Sequence, residues 1–454
     1  MQSFTPPSSV RTSPSRERGA TTICIDGFNL ALAKGSGIAT YGRNLIASLN
    51  DMGCDTQVLY APLAPLKADP LLDEIALVDQ HRPGKPPTKA ERFVRTRMAR
   101  FGLEAHHIPH SEKVIWPADG ALPPGAKSYW ASRDLYRTAQ RVFRRSGRLT
   151  EVRFARSDAA MSPIAMHWTA PLPLRARGVL NLHTLHDLIP LRLPFATTED
   201  KSRYLALCRR IVASADHLIV VSETTRRDVI ELLNVSEDKV TNTYQAARLP
   251  PGHADRSDTE VAAELEAAFG LEWRSYFLHY GVVEPKKNLG RLVEAYIISG
   301  VRSPLVIVGA KGWLDGDETA LLRHVQEHGA AGQRIMRFDY LPAGVLASLV
   351  RGARATLFPS LYEGFGLPVL ESMMMGTPVL TSDAGSLPEI AGGFARLVDP
   401  LVPASIAAGI SDLDGDPGLR KALTEGGQKH AEAFSPAAYQ QRLEALYERL
   451  GISG

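Results

Sequence analysis

Cysteine is scarce, with three residues in a chain of 454: Cys24, Cys54 and Cys208. None forms a C-x-x-C pair and no Cys/His spacing resembles a zinc site, which excludes a zinc ribbon and a disulfide framework as organising devices. A reduced, cytoplasmic setting fits that usage. Long apolar runs are also missing: nothing approaches the ~20 residues that cross a bilayer. Met1 to Arg18 is rich in Ser, Pro and Arg without an apolar stretch, so it does not read as a signal peptide. Residues 1–20 read instead as a disordered tail. An excess of one charge is absent too. Lys and Arg number 52 against 49 Asp and Glu, and a net charge of +3 does not point to nucleic acid as a partner.

What is present is an ordinary globular composition, 44% hydrophobic and 22% charged, over a length that favours two or three domains. Thr22 to Ile25 reads as a short buried strand. Asp26 to Gly37 is a loop containing Gly27, Gly35 and Gly37. Ile38, Tyr41, Leu45 and Leu49 then recur at helical spacing, Gly53 stops the helix, and Gln57 to Tyr60 is the next strand. This strand–loop–helix–strand unit is the building block of a parallel sheet. Alternation resumes with strand Val179 to Leu185, which ends at His186-Asp187. Helix Tyr204 to Ala213, strand His217 to Val221, a helix capped by Ser222, and strand Val240 to Tyr244 follow.

Pro250 to Asp258 is the best linker. A second series begins at Tyr276 to Tyr280 and runs through Leu289–Tyr296, Leu305–Val308, Ile335–Phe338, Gly344–Arg351 and Ala355–Phe358. An amphipathic helix, Ser435 to Leu450, closes the chain with Tyr439, Leu443, Leu446 and Leu450 on one face. The expected organisation is a tail (1–20), an α/β domain (21–255) with an insertion around 61–165, a second α/β domain (256–434) and a C-terminal helix (435–454). Within the insertion, Arg82 to Arg100 holds seven Lys/Arg and one acid, and a second basic stretch covers Arg141 to Arg156. The plain reading is a solvated helix face. The sharper one is a surface for anionic lipid or a lipid-pyrophosphate acceptor, with Val94, Met98 and Phe101 as a thin apolar stripe.

The stretch Ala355 to Asp383 carries the chemistry. Glu363 and Glu371 are eight residues apart, which on one helix would separate them by about 12 Å. Pro368 suits a first helical turn, so Glu363 falls in a loop and Glu371 near the start of the helix. The two carboxylates can grip different parts of one extended ligand. Gly364 and Gly366 allow backbone amides to approach closely, and the helix N-terminus favours an anion. Lys286 and Lys287, in Gly281 to Asn288, follow the first strand of the second series. A Lys-Lys pair alone is an ordinary exposed loop feature; beside the carboxylate segment it reads as the phosphate partner, pointing across the cleft. His186, at the end of a parallel strand, is the candidate histidine. His167 and His183 read as structural, and Met373 to Met375 as core packing.

FPSLYEGFGLPVLESM, with Glu363 and Glu371 in an E-x7-E pattern, resembles the signature of the retaining family-4 glycosyltransferases. VVEPKKNL is similar to their EPRKNL motif, and residues 382–400 resemble the segment that follows. A thinner likeness covers the loop at 35–37, HDL at 186–188 and VSETTRRDV at 221–229. The resemblance implies a GT-B fold: two Rossmann-like domains facing each other across a cleft, with the C-terminal helix crossing back to the N-terminal domain. It implies a nucleotide-sugar donor, retention of anomeric configuration, and neither metal nor other cofactor. Carried over, Glu371 binds the donor ribose and Glu363 lies by the donor sugar. Lys286 and Lys287 bind the diphosphate. The amides of Phe365, Gly366 and Leu367 meet sugar hydroxyls or phosphate. Gly35 and Gly37 approach the diphosphate, and His186 contacts the donor sugar at the catalytic centre. Two positions depart from the family pattern: Val282 and Lys286 stand where arginine is more usual, and lysine lacks the bidentate fork. The implied activity is hexosyl transfer, mannose from GDP-mannose first, to a hydroxyl of a polysaccharide or lipid-linked oligosaccharide at the inner face of a membrane. A sugar-nucleotide epimerase and a non-catalytic nucleotide-sugar-binding protein are the alternatives.

Overall fold

The computed structural model describes residues 21–30, 37–67, 69–79, 86–111, 113–115, 125–249, 252, 253, 255–310, 312, 315–328 and 332–452. The tail 1–20, Gly35, and parts of the first basic stretch and of the linker lie outside these residues.

Two sheets organise the described chain. The first contains β1 (Thr22–Asp26), β2 (Asp55–Tyr60), β3 (Leu103–Pro109), β4 (Ser128–Ala131), β5 (Thr150–Phe154), β6 (Ala165–Trp168), β7 (Leu174–Ala176), β8 (Leu180–Leu185), β9 (His217–Val220) and β10 (Val240–Asn242). Their order is β10-β9-β8-β6-β1-β2-β4-β3-β5-β7, and every pairing is parallel except β3 with β4. The second sheet is wholly parallel, in the order β13-β12-β11-β14-β15-β16. Its strands are β11 (Phe277–Tyr280), β12 (Leu305–Val308), β13 (Ile335–Phe338), β14 (Ala355–Phe358), β15 (Val379–Ser382) and β16 (Arg396–Val398). Central strands such as β6, β9, β11, β12, β14 and β15 are buried along their whole length. That is why they read as continuous apolar runs rather than as alternating ones.

Strand order reverses between β1 and β6 in the first sheet and between β11 and β14 in the second. Such switch points open a crevice at the carboxyl ends of the strands, where ligands bind in open α/β sheets. The loop after β11 carries Lys286 and Lys287; the loop after β14 carries Glu363. The sequence motifs therefore sit on the two loops that flank one switch point.

Residues 61–165, read from sequence as an insertion, supply β3, β4 and β5 to the first sheet and helix Leu135–Ser146 to one of its faces. Helix Lys89–Met98 in the first basic stretch has no buried residue. The expected apolar stripe is solvent-exposed: Val94, Met98 and Phe101 are each more than half exposed, as is Phe93.

Helix Pro436–Arg449 is capped by the Ser435 hydroxyl, which accepts from the Ala438 amide. It buries Tyr439, Leu443, Leu446 and Tyr447 and returns to the first domain, where Gln440 reaches Asp51 at 3.0 Å and Tyr447 Oη lies 3.4 Å from His167 Nδ1. One apolar cluster runs from Ile25, Tyr41 and Leu45 through this helix to Leu278 and Phe358 of the second sheet and Phe365 in the loop after β14. Leu443 is fully buried in it. Leu443→Ala is expected to lower unfolding free energy by about 2–4 kcal/mol, measured by urea denaturation. A cost below the range of a surface substitution would mean that this helix is not part of the core.

Candidate active site between the two sheets

The centre of the site is a buried carboxylate held by two ammonium groups. Lys287 Nζ donates to Glu363 Oε1 at 2.6 Å, and Lys286 Nζ lies 3.6 Å from Glu363 Oε2. Lys286 is also 3.6 Å from Glu284 Oε1. The short 3-10 turn Pro285–Lys287 presents both lysines, and Asn288 turns the chain into helix Leu289–Ser299 with φ of 62°. That left-handed position suits Asn. Its side-chain amide donates to the carbonyls of Pro359 and Pro400, at 2.9 and 2.7 Å, so the two motif loops are tied by backbone as well as by charge. The Leu361 amide adds a bond to the Lys286 carbonyl at 2.7 Å.

Burial raises the proton affinity of Glu363, but Lys287 and Lys286 outweigh it and hold the carboxyl at about 2. Burial lowers the proton affinity of Lys286, and Glu363, Asp187 and Glu284 overturn that, so its ammonium is held above the usual range. Glu284 goes the other way: burial pushes it up by more than the lysines bring it down. One of its oxygens, Oε2, is buried with no hydrogen-bond partner among the described residues.

Glu371 lies in the second turn of helix Leu367–Met374. Its Oε2 is 3.1 Å from Tyr280 Oη, at the end of β11, and burial raises its proton affinity. Phe365, Gly366 and Leu367 form the entry to this helix, whose first amides have no intrahelical acceptor. Phe365 also packs its ring on Phe434, with centroids 5.9 Å apart. Ser386 Oγ donates to the carbonyls of Glu363 and Phe365 at 2.9 and 2.6 Å, fixing the loop from below.

The opposite wall comes from the first domain. His186 Nε2 is 2.9 Å from the Thr169 carbonyl. A carbonyl only accepts, so Nε2 carries the proton and the neutral ring keeps Nδ1 as an acceptor. Burial lowers its proton affinity further, favouring that neutral form. The Tyr41 ring meets the imidazole edge-on at 4.8 Å. Thr169 is held at its other end by Asp26, whose carboxylate accepts from the Thr169 amide. Asp26 is fully buried, and burial raises it to about 6. Gly364 touches this wall: a Cβ there would come within 2.1 Å of the His186 carbonyl oxygen, so only glycine permits the approach.

The structure thus gathers Glu363, Lys286 and Lys287 into one cluster and sets His186 beside Gly364. It sets Glu371 against Tyr280 instead. The lysines do not project free across the cleft, as the sequence reading had them; both are paired within their own domain. Gly37 begins helix Gly37–Asp51, and a Cβ on it would meet nothing within 4 Å. Val282, at the position where arginine is more usual, is 45% exposed. His167 and His183 are fully buried, each with its affinity for a proton depressed to about 3 by burial. His167 bonds Thr184 at 2.7 Å and His183 stacks on Trp168, both internal to the fold. Sequence reasoning missed Glu284, Tyr280, Asn288, Asp26 and Thr169, whose roles depend on contacts that no local pattern announces.

Known proteins match both halves. A model of group 1 glycosyl transferases matches residues 265–430, and one of Glycosyltransferase Family 4 matches residues 110–244. The chain is 33% identical over 257 residues to O-antigen chain mannosyltransferase B of Escherichia coli, covering 56% of this chain and 66% of that protein. It is 28% identical over 228 residues to the serotype-specific mannosyltransferase WbdA of Escherichia coli, covering 47% of this chain and 27% of that protein. The chain thus spans 66% and 27% of these relatives' lengths. A sucrose-phosphate synthase from Thermosynechococcus elongatus superposes with a TM-score of 0.64 at 19% identity, over 96% of this chain and 100% of that one. The fold is the GT-B arrangement.

The Glu363 carboxyl is ordinarily near 4.5 when unfolded and near 2 when folded. Its contribution to stability is therefore complete above pH 4.5 and lost as pH falls through 2. That contribution is at most about 3 kcal/mol. Glu363→Gln should lose it at pH 7 and flatten the acid limb between pH 4.5 and 2 in urea denaturation. An unchanged acid limb would show that the lysines do not hold this carboxylate.

Proposed function

Because the chain belongs to the family-4 glycosyltransferases, we propose that it moves a hexosyl group from a nucleotide sugar to a hydroxyl with retention of anomeric configuration and without a metal. The observation that carries this reading is the Lys286–Glu363–Lys287 cluster at a strand-order switch point, on the loop whose Gly364 lies against the His186 carbonyl. Mannose from GDP-mannose is the first choice of donor, supported by the mannosyltransferase names of the two relatives. The acceptor is a hydroxyl of a polysaccharide or a lipid-linked oligosaccharide.

In this reading the ammonium groups of Lys286 and Lys287 turn from Glu363 toward the donor diphosphate and stabilise the charge that develops as the glycosidic bond breaks. Glu363 then lies by the sugar, whose oxocarbenium-like character a carboxylate favours. Glu371 takes the ribose hydroxyls. His186, neutral and with Nδ1 as acceptor, bonds a sugar hydroxyl; it is not the general base. The acceptor hydroxyl attacks from the face the phosphate leaves, and the leaving phosphate oxygen takes its proton. The protein contributes placement and field.

A thermal-shift screen of UDP, GDP and ADP and their sugar conjugates, followed by transfer assays with glycan acceptors, tests the reading. Lys287→Ala should lower kcat/KM by about 10²–10³, the loss of a donor to developing charge. Glu371→Ala should raise the donor KM. Turnover of the sugar nucleotide without acceptor would point to an epimerase, and full activity in both variants would refute the site.

The lipid-linked form of the acceptor is supported by the first basic stretch. Phe93, Val94, Met98 and Phe101 are exposed beside Arg97 and Arg100, and these two arginines share a groove with Arg145 and Arg148. Exposed apolar side chains among cations are the pattern of an interfacial helix on anionic lipid. Vesicles rich in anionic lipid should sediment the protein at low salt, and Arg97→Glu with Arg100→Glu should abolish it. Equal sedimentation of the charge-reversed variant would remove this surface from the reading.

A further inference from the structure

The donor loop is held across the cleft at two residues, Tyr362 and Gly364, on either side of Glu363. Tyr362 Oη donates to Asp228 Oδ2 of the first domain, a carboxylate that also receives Arg192. Glu363 turns its side chain back to the lysines. The Gly364 carbonyl accepts from Ser222 Oγ at 2.7 Å and from Thr225 Oγ1 at 3.2 Å. Thr225 Oγ1 is also 3.1 Å from the His186 carbonyl, so one hydroxyl touches the donor loop and the histidine segment together.

A carboxylate of the second domain, Glu389, reinforces this contact. Glu389 Oε1 accepts from the Glu223 amide at 2.7 Å, and Oε2 accepts from the Thr224 amide at 3.1 Å and the Thr224 hydroxyl at 3.2 Å. Those amides are the first of helix Glu223–Leu233, whose N-terminus Ser222 already caps through Thr225. An acid from one domain therefore satisfies orphan donors at a helix start in the other, with the helix dipole in its favour. Thr224 Oγ1 also lies 3.3 Å from the Gly385 carbonyl, and a Cβ on Gly385 would come within 3.0 Å of the Glu363 backbone. The Glu389 contact and the donor loop are thus neighbours within one small patch.

We propose that Tyr362 and Glu389 are positioning residues that latch the domains together. In this arrangement their grip on helix Glu223–Leu233 seats the Glu363 loop against His186 for transfer. Neither side chain touches the lysine cluster, so donor binding to the second domain does not need them. Opening the latch separates Gly364 from His186 and leaves Glu363, Lys286 and Lys287 together. The latch rests on the donor reading above for its consequence in turnover, and on geometry alone for its effect on shape.

The test uses Tyr362→Phe, Glu389→Gln and the double variant in the full chain. Each single change is expected to lower kcat about 10-fold and the pair about 100-fold, with the donor KM within about 2-fold of wild type. Melting temperatures should stay close to wild type, and small-angle scattering should report a larger radius of gyration for the double variant. A loss of melting temperature with kcat preserved would make these residues merely structural and overturn the latch. So would a rise in donor KM at constant kcat, or an unchanged radius with unchanged kcat. If wild type turns over no sugar nucleotide while the double variant still expands, the donor reading fails and the latch stands.

Discussion

The contact on which the site depends is the buried carboxylate of Glu363 between Lys286 and Lys287. It joins the loop after β11 to the loop after β14, the two strands between which the order of the second sheet reverses. A buried ion pair is a weak source of net stability, because removing both charges from water costs nearly what their attraction returns. Its value here is geometric. The pair fixes which way a carboxylate and two ammonium groups face, and Asn288 and the Leu361 amide reinforce that placement through backbone carbonyls. In the proposed reading, an anionic donor gains from cations that are already ordered.

That ordering would be idle without the first domain. Gly364 brings the donor loop so close to the His186 carbonyl that no side chain fits between. The imidazole itself is oriented by Thr169, and Thr169 by Asp26 at the end of β1. Groups from the switch regions of both sheets therefore converge. The C-terminal helix, packed on Gly37–Asp51 and joined to His167 through Tyr447, continues the apolar core from one sheet to the other.

How much of this was legible in the sequence follows from the range of each interaction. The parallel strands were readable because they are buried on both faces, which leaves uninterrupted apolar runs between glycine loops. The strand ends placed His186, Lys286, Lys287 and Glu363 on the loops that follow β8, β11 and β14, and helix starts such as Ser222 showed in their caps. Residues 61–165 were opaque because β3 runs antiparallel to β4 and is buried only at intervals, and helix Lys89–Met98 has no buried face to give it a period. Tyr362 with Asp228 and Glu389 with Glu223 were invisible for another reason. These partners are 134 and 166 residues apart, and a hydrogen bond over that distance leaves no local trace in either segment.

The charges of the cluster bear on how a donor enters. Lys286 and Lys287 face Glu363 and Glu284, and Asp187 also acts on Lys286, so acids already offset the two cations of the cluster. A diphosphate brings about two negative charges, more than ordered amides at a helix start offset alone. Either Glu363 gives up the lysines as phosphate arrives, or an acid of the cluster takes a proton. The carboxyls differ in readiness for the second course. Glu363 is held at about 2 by the lysines, whereas Glu284 is pushed up by burial and has an oxygen without a partner among the described residues. Glu363 is flanked by Tyr362 and Gly364, which make the cross-domain contacts. In the proposed reading, anion binding and domain contact therefore act on the same short segment, and the ion pair at its middle is what a donor would exchange with.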